Sequence, residues 1–492
     1  MKYFSTRGEG AAKRSAEAII QGLATDKGLY VPDSIPTLDI ELGKLSELSY
    51  QDIARTVIGK FFDDFSAEEV DICVNGAYDS KFSDPKIAPL VKVKDAYVLE
   101  LYHGRTSAFK DMALSILPYL LTTSLKKEKE EKEIVILTAT SGDTGKAALE
   151  GFADVPGTQI IVFYPTGGVS EIQEKQMITQ EGANTHVYSI VGNFDDAQTG
   201  VKNIFNDDAF AAELDADGYK LSSANSINIG RLVPQVAYYI SAYAQLIQAG
   251  EIQPGDAINV CVPTGNFGNL LAAYYAKNMG IPIKKFICAS NENNVLTDLI
   301  NDGVYDANRD FFQTSSPSMD ILISSNVERL LYHLSGDNAD EIASYMKSLD
   351  DERRYRVSDK VKEGLSNFIG YYSDMNQTHD AIKRLYNEEH YLMDTHTAVA
   401  WASYESYVAE TGDNTPTVVA STASPYKFAG DVAKSIGVTI TEDGFANMDA
   451  LYAKTGVAIP EGLAGLEHKK VLHDETIEKE AMPAAVKKSL NI

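Results

Sequence analysis

"AINVCVPTGNFGNLLAAYYAKNMG", residues 257–280, decides the fold. A short apolar, β-branched run, "AINVCVP", ends in the glycine-bearing turn "TGNFGN" and passes into the helix-like "LLAAYYAKNMG". Apolar on both faces, the first part reads as a strand buried in a parallel sheet, and the last part as its crossover helix. The same unit recurs outward from this point. "EIVILTAT" leads through "SGDTG" to "KAALEGF", and "QIIVFYP" leads to "TGGVS" and a helix whose Ser170 and Gln173 form a capping box. "HVYSIVG" precedes a helix from about residue 195, and "PTVVAST" precedes "SPYKFAGDVAKSIG". Strands alternating with helices give an α/β protein, in which ligands sit beyond the carboxyl ends of the strands.

The sequence has 492 residues, 44% apolar and 23% charged. No apolar stretch is long enough to cross a bilayer, and the start, "MKYFSTRGEGAAKRSAEAII", lacks the apolar centre of a signal peptide. The net charge of −26 argues against nucleic acid as a partner and leaves any anion site to be built from local cations. Cys73, Cys261 and Cys288 are too few and too far apart for a disulfide framework or a zinc site. The eight histidines form no ligand cluster, so no metal is expected and the cytoplasm is the expected compartment. No obligate protein partner is evident. The run "KKEKEEKE", Lys126 to Glu133, alternates in sign and reads as a solvated helix end before the next strand.

Three divisions are expected: 1–92, mostly helical; 93–430, holding the strand–helix units in two subdomains with a helical insertion at about 310–390; and 431–492, a helical tail.

In "YHGRTSAFKDMALSILPYL", 102–120, the strand-like "AYVLELYH" and the turn "GRTS" place Lys110 in the first turn of a helix. There the positive end of the helix dipole disfavours the ammonium form by a few tenths to about 1 kcal/mol. "GNFGN", Gly265 to Asn269, lets backbone N–H groups approach an oxyanion at a helix start. "TATSGDTGKAA" resembles a nucleotide-binding P-loop but has Thr140 where glycine is required and Ala147 where a hydroxyl is required. Its hydroxyls, Thr140, Ser141 and Thr144, suit a carboxylate instead. Thr422 ends another buried strand. His103 and His396 read as structural histidines. An amine, an anion loop, a hydroxyl cradle and a strand-end threonine are together what pyridoxal 5'-phosphate needs when it works on an amino acid.

The chain resembles the threonine synthases, pyridoxal-phosphate enzymes of fold type II, over essentially its full length. "HGRTSAFKD", "TATSGDTG", "PTGNFGN", "SPSMDI" with "SSNVERL", and "STASPYKF" match in order and spacing, and the long N-terminal region matches the branch of bacteria and fungi. The resemblance implies a tryptophan-synthase-β-like fold of two open parallel-sheet domains. It implies that Lys110 bears the cofactor, that Gly265, Asn266, Phe267, Gly268 and Asn269 hold its phosphate, and that Thr422 meets its pyridine nitrogen. Asp143 stands near the phenolic oxygen, which a carboxylate repels unless one of the two is protonated. "NSINIGRLVPQ" resembles the substrate-phosphate segment, with Ser226, Asn228 and Arg231 as ligands. Arg105 replaces a usual proline and adds a further cation there. The implied reaction is that of a carbon–oxygen lyase acting on phosphate. It turns O-phospho-L-homoserine and water into L-threonine and phosphate, the last step of threonine biosynthesis. The rivals are a fold-type-II lyase such as threonine dehydratase, and a binding protein that has kept the fold without the chemistry.

Overall fold

The computed structural model describes residues 1–492, the side chain of Asp195 excepted. Two open sheets organise it. The larger has the strand order Phe368–Tyr372, Ile283–Ser290, Ile258–Pro263, Thr417–Ser421, Ala96–Glu100, Leu90–Val93. Its neighbours are parallel except for the final hairpin, where Leu90 pairs with Leu99 and Val93 with Ala96. The smaller, wholly parallel sheet has the order Thr476–Glu478, Thr185–Val191, Thr158–Pro165, Glu133–Ala139, Tyr219–Ser222. Every residue of Ile258–Pro263 is buried, as a strand covered by helices on both faces must be.

The N-terminal part is mostly helical, with a two-stranded ribbon, Tyr3–Ser5 against Tyr30–Pro32. Its helix Tyr50–Phe61 starts at a capping box of Ser49 and Asp52 and buries Tyr50, Ile53, Ala54, Val57, Ile58 and Phe61 along one stripe. Phe61 stacks on Tyr275 with ring centroids 5.8 Å apart, which ties this part to the helix Gly268–Asn278. Each such large apolar side chain contributes roughly 1.5–3 kcal/mol by leaving water.

The structure differs from the expected divisions in three places. The strand Leu90–Val93 runs across the 92/93 boundary. The stretch expected as a helical insertion also supplies the edge strand Phe368–Tyr372. The C-terminal segment adds Thr476–Glu478 to the edge of the smaller sheet, beside Thr185–Val191. The expected Ser170–Gln173 capping box is present. Among the described residues, no helix is long and apolar enough to cross a membrane.

Residues beyond the carboxyl ends of Glu133–Ala139, Ile258–Pro263 and Thr417–Ser421 line one cavity of about 510 Å³. Lys110, reached from the end of Ala96–Glu100, lines it too.

Candidate active site

Local hydrogen bonds fix Lys110. Ser107 adopts a left-handed φ of 59° and closes a turn by donating its N–H to Gly104 O at 3.1 Å. The next residues zip against the strand-end threonine: Phe109 N–H donates to Thr422 O at 2.8 Å, Ala108 lies opposite Ala423, and Ser424 N–H donates to Ser107 O at 3.0 Å. Two motifs more than 300 positions apart in the chain are thereby held side by side. Lys110 is the residue before the four-residue helix Asp111–Leu114, one position earlier than expected. Burial holds its ammonium below the ordinary lysine range; Arg231 and Lys427 add to that shift and Asp143 opposes it. Its Nζ sits 4.8 Å from the centre of the Phe109 ring.

Asp111 accepts hydrogen bonds from Thr106 N–H at 2.8 Å and Thr106 Oγ1–H at 2.6 Å. Burial still pushes its carboxyl pKa up to about 6. A folded pKa above the unfolded value of about 3.9 means stability that is complete below that value and is lost as pH rises through about 6. Denaturation across this window is expected to show the parent chain losing on the order of 3 kcal/mol relative to Asp111→Asn. Parallel profiles for the two proteins would contradict it.

Asp143 occupies the centre of the site, 3% exposed. Its Oδ1 lies 2.7 Å from Lys427 Nζ and accepts a hydrogen bond from Gln173 Nε2 at 2.8 Å; its Oδ2 lies 3.5 Å from Lys110 Nζ. The two lysines hold this carboxyl well below the usual carboxylate range against the cost of burial. Gly142 before it has φ 125°, and a Cβ there would come within 2.4 Å of the Gln173 carboxamide, displacing it from Asp143. Lys427 supplies this carboxylate with an opposite charge that the sequence reading did not include. Sequence reasoning did not single out Lys427 or the second task of Gln173. The signal for Lys427 was a lysine inside the otherwise apolar "PYKFAG".

Thr140 Oγ1 accepts from Gly142 N–H at 3.0 Å and Gly145 N–H at 2.8 Å, so it shapes the loop and keeps its own O–H to donate. Ser141 and Thr144 line the cavity beside it. Thr422 lines the cavity as well, 6% exposed.

The loop Gly265 to Asn269 forms another wall. Phe267 takes a left-handed φ of 64° as the cap of the helix Gly268–Asn278, whose first N–H groups have no partner within the helix. A Cβ on Gly265 would stand 2.9 Å from Ser318 O, so only glycine lets that strand of backbone pass. Asn269 Oδ1 accepts from Tyr238 O–H at 2.8 Å and also from Tyr239 O–H, which leaves its buried Nδ2 without a partner.

Among the expected phosphate ligands, Ser226 and Arg231 line the cavity. Arg231 is 4% exposed, and its Nη1 donates to Ala224 O at 2.8 Å; no carboxylate pairs with it among the described residues. Burial lowers its pKa to about 10. Two expectations are corrected. Asn228 does not line the cavity: its Oδ1 caps the short helix Ile229–Leu232 by accepting from Gly230 N–H, and its Nδ2 donates to Ile19 O and Ser223 O. Its polar atoms are fully used in holding the loop, and Asn225 faces the cavity instead. Arg105 is turned outward and pairs with Glu150 at 3.2 Å, its side chain 56% exposed. His396 lines the cavity, but its Nε2 accepts from Ser318 N–H at 3.1 Å and its Nδ1 meets Asp394 Oδ2 at 2.9 Å. His103 pairs with Glu100 and Ser83 outside it.

The chain is similar to known proteins along most of its length. Residues 84–423 match the family model described as "Pyridoxal-phosphate dependent enzyme", 2–78 match "Threonine synthase N terminus", and 397–488 match "Threonine synthase, C-terminal". Threonine synthase of Saccharomyces cerevisiae is 34% identical, over 99% of this chain and 98% of its own. The chain belongs to the threonine synthase family. The crystal structure of pyridoxal-phosphate-bound threonine synthase from Brucella melitensis superposes with a TM-score of 0.87 at 35% identity, covering 99% of both chains. Human threonine synthase-like 1 is 38% identical over 87% of this chain. The chain spans only 58% of the length of that relative, whereas it spans the yeast threonine synthase almost completely.

The residues present fit the family's cofactor. The orphaned Asn269 Nδ2, the free helix N–H groups after Phe267 and the close-passing Gly265 form a cradle for an anionic group. A buried amine whose proton is disfavoured suits attack on a carbonyl carbon.

Proposed function

We propose that the protein converts O-phospho-L-homoserine and water to L-threonine and phosphate with pyridoxal 5'-phosphate, as the last step of threonine biosynthesis in the cytoplasm. The observation that carries this beyond family membership is Arg231. A buried guanidinium with no carboxylate partner among the described residues, on the wall of the cavity that holds Lys110, calls for a ligand with a strong anion.

In this reading Gly265, Asn266, Phe267, Gly268 and Asn269 hold the cofactor phosphate, Lys110 binds its aldehyde carbon, and Thr422 faces its ring nitrogen. When bound, pyridoxal phosphate withdraws electrons from the substrate α-carbon. The chain's own groups do the rest. Ser141, Thr144 and the O–H of Thr140 orient the substrate carboxylate. Arg231 and Ser226 hold the phosphate that leaves. Lys110 Nζ takes the α-proton and returns it, a role open to an amine whose ammonium form is disfavoured. Phosphate leaves Cγ as a proton leaves Cβ, Cγ takes up a proton to become the methyl group, and water adds at Cβ.

The test is the product of the cofactor-loaded protein given O-phospho-L-homoserine: phosphate and threonine in equal amounts are expected. Conversion of threonine to a 2-oxo acid without use of the phosphorylated substrate would identify a dehydratase. Binding without any product would identify a protein that has lost the chemistry.

Thr422→Asp is expected to slow threonine formation and change the visible absorption, because a carboxylate favours a protonated pyridine where a neutral hydroxyl does not. An unaltered spectrum with unaltered products would place Thr422 away from the ring nitrogen.

A further inference from the structure

Asp143 is shared by two lysines, and only one of them faces the cavity. Lys427 is fully buried on the single 3₁₀ turn Pro425–Phe428. Beyond Asp143 Oδ1, its Nζ donates to Thr106 O at 3.0 Å. It does not line the cavity and so has no path to a substrate.

The consequence is electrostatic. A carboxylate within about 4–6 Å of an amine ordinarily favours the charged ammonium and shifts its titration by one to three pH units. Asp143 alone would therefore hold Lys110 as an ammonium, which has no lone pair to attack a carbonyl or accept a proton. With Lys427 at 2.7 Å, part of the carboxylate's pull on Lys110 is offset, and its shorter contact lies away from Lys110. Arg231, from the short helix after the Ser226 loop, adds positive charge facing Lys110. Asp111, from the helix that follows Lys110, is engaged with Thr106, and Glu150 is paired with Lys146 and Arg105.

We propose that Lys427 is a positioning residue that serves as the fixed counter-cation of Asp143, so that the Lys110 nitrogen sheds its proton readily. The inference deepens the proposed function and rests on Lys110 being the reactive amine.

The experiment titrates the visible absorption of the cofactor-loaded, full-length protein with pH, which reports the proton on the Lys110 nitrogen. Lys427→Met is expected to raise the midpoint by about one to three pH units. Asp143→Asn is expected to lower it, because Lys427 then acts unopposed. The double variant, neutral at both positions, is expected to return near the parent midpoint, and Lys427→Arg, which keeps the charge, to stay near it. Should Lys427→Met fail to fold with its buried carboxylate unpaired, Asp143→Asn and the double variant still decide. An unmoved midpoint in Asp143→Asn, or a double variant displaced as far as Lys427→Met, overturns the proposal. A second readout does not use the cofactor: acylation of Lys110 in the cofactor-free chain by acetic anhydride, followed by peptide mass spectrometry against pH. It must give the same order of midpoints. Absence of a visible band in the parent protein would refute the cofactor's attachment to Lys110, and the acylation midpoints would then still judge Lys427.

Discussion

Lys110→Ala is expected to lower turnover by at least about three orders of magnitude, since one nitrogen is both the attachment point and the base. The fold should survive. Lys110 is held by one long contact to Asp143 at 3.5 Å, whereas Asp143 keeps Lys427 and Gln173 after the change. The backbone that positions residue 110 is set by Phe109, Thr422 and Ser107, none of which uses the lysine side chain. Initial rates and a denaturation curve on the same preparation check both halves. Near-normal turnover in the variant would move the reactive amine to another lysine.

Arg231→Met should weaken O-phospho-L-homoserine binding by about one to two decades while leaving homoserine nearly unaffected. Methionine retains the buried bulk and removes the charge. A charge-assisted contact is worth roughly 1.5–3 kcal/mol, which is that range of affinity. Distant charges cannot compensate, because the chain carries a net charge of −26. Arg105→Ala is expected to leave both affinities unchanged, since that side chain pairs with Glu150 outside the cavity. Equal losses for the two ligands in Arg231→Met would assign this arginine to the fold or to carboxylate binding.

Local pattern revealed much of this molecule. The buried strand Ile258–Pro263 and the helix Gly268–Asn278 follow from apolar runs punctuated by glycine, and the cavity forms where such strands end. Lys110 was legible because its place at a helix start is a local property. What was not legible depends on partners far away in the chain. Spacing could not show that Arg105 turns to Glu150, or that Asn228 spends its carboxamide on Gly230, Ile19 and Ser223. Gln173 announced its capping role through Ser170, three residues away, but its bond to Asp143 spans 30 positions. Lys427 meets Thr106 across 321. The strand Thr476–Glu478 has only three residues and owes its state to the edge of Thr185–Val191 that it covers.

The most direct measurement of the central claim is the fate of oxygen in the reaction. The cofactor-loaded protein is supplied with O-phospho-L-homoserine in water enriched in heavy oxygen, and the products are read by mass spectrometry. The account predicts threonine bearing one heavy oxygen in its side-chain hydroxyl, with one unlabelled phosphate released for each molecule formed. Homoserine with labelled phosphate, which is the outcome of simple ester hydrolysis, would contradict it.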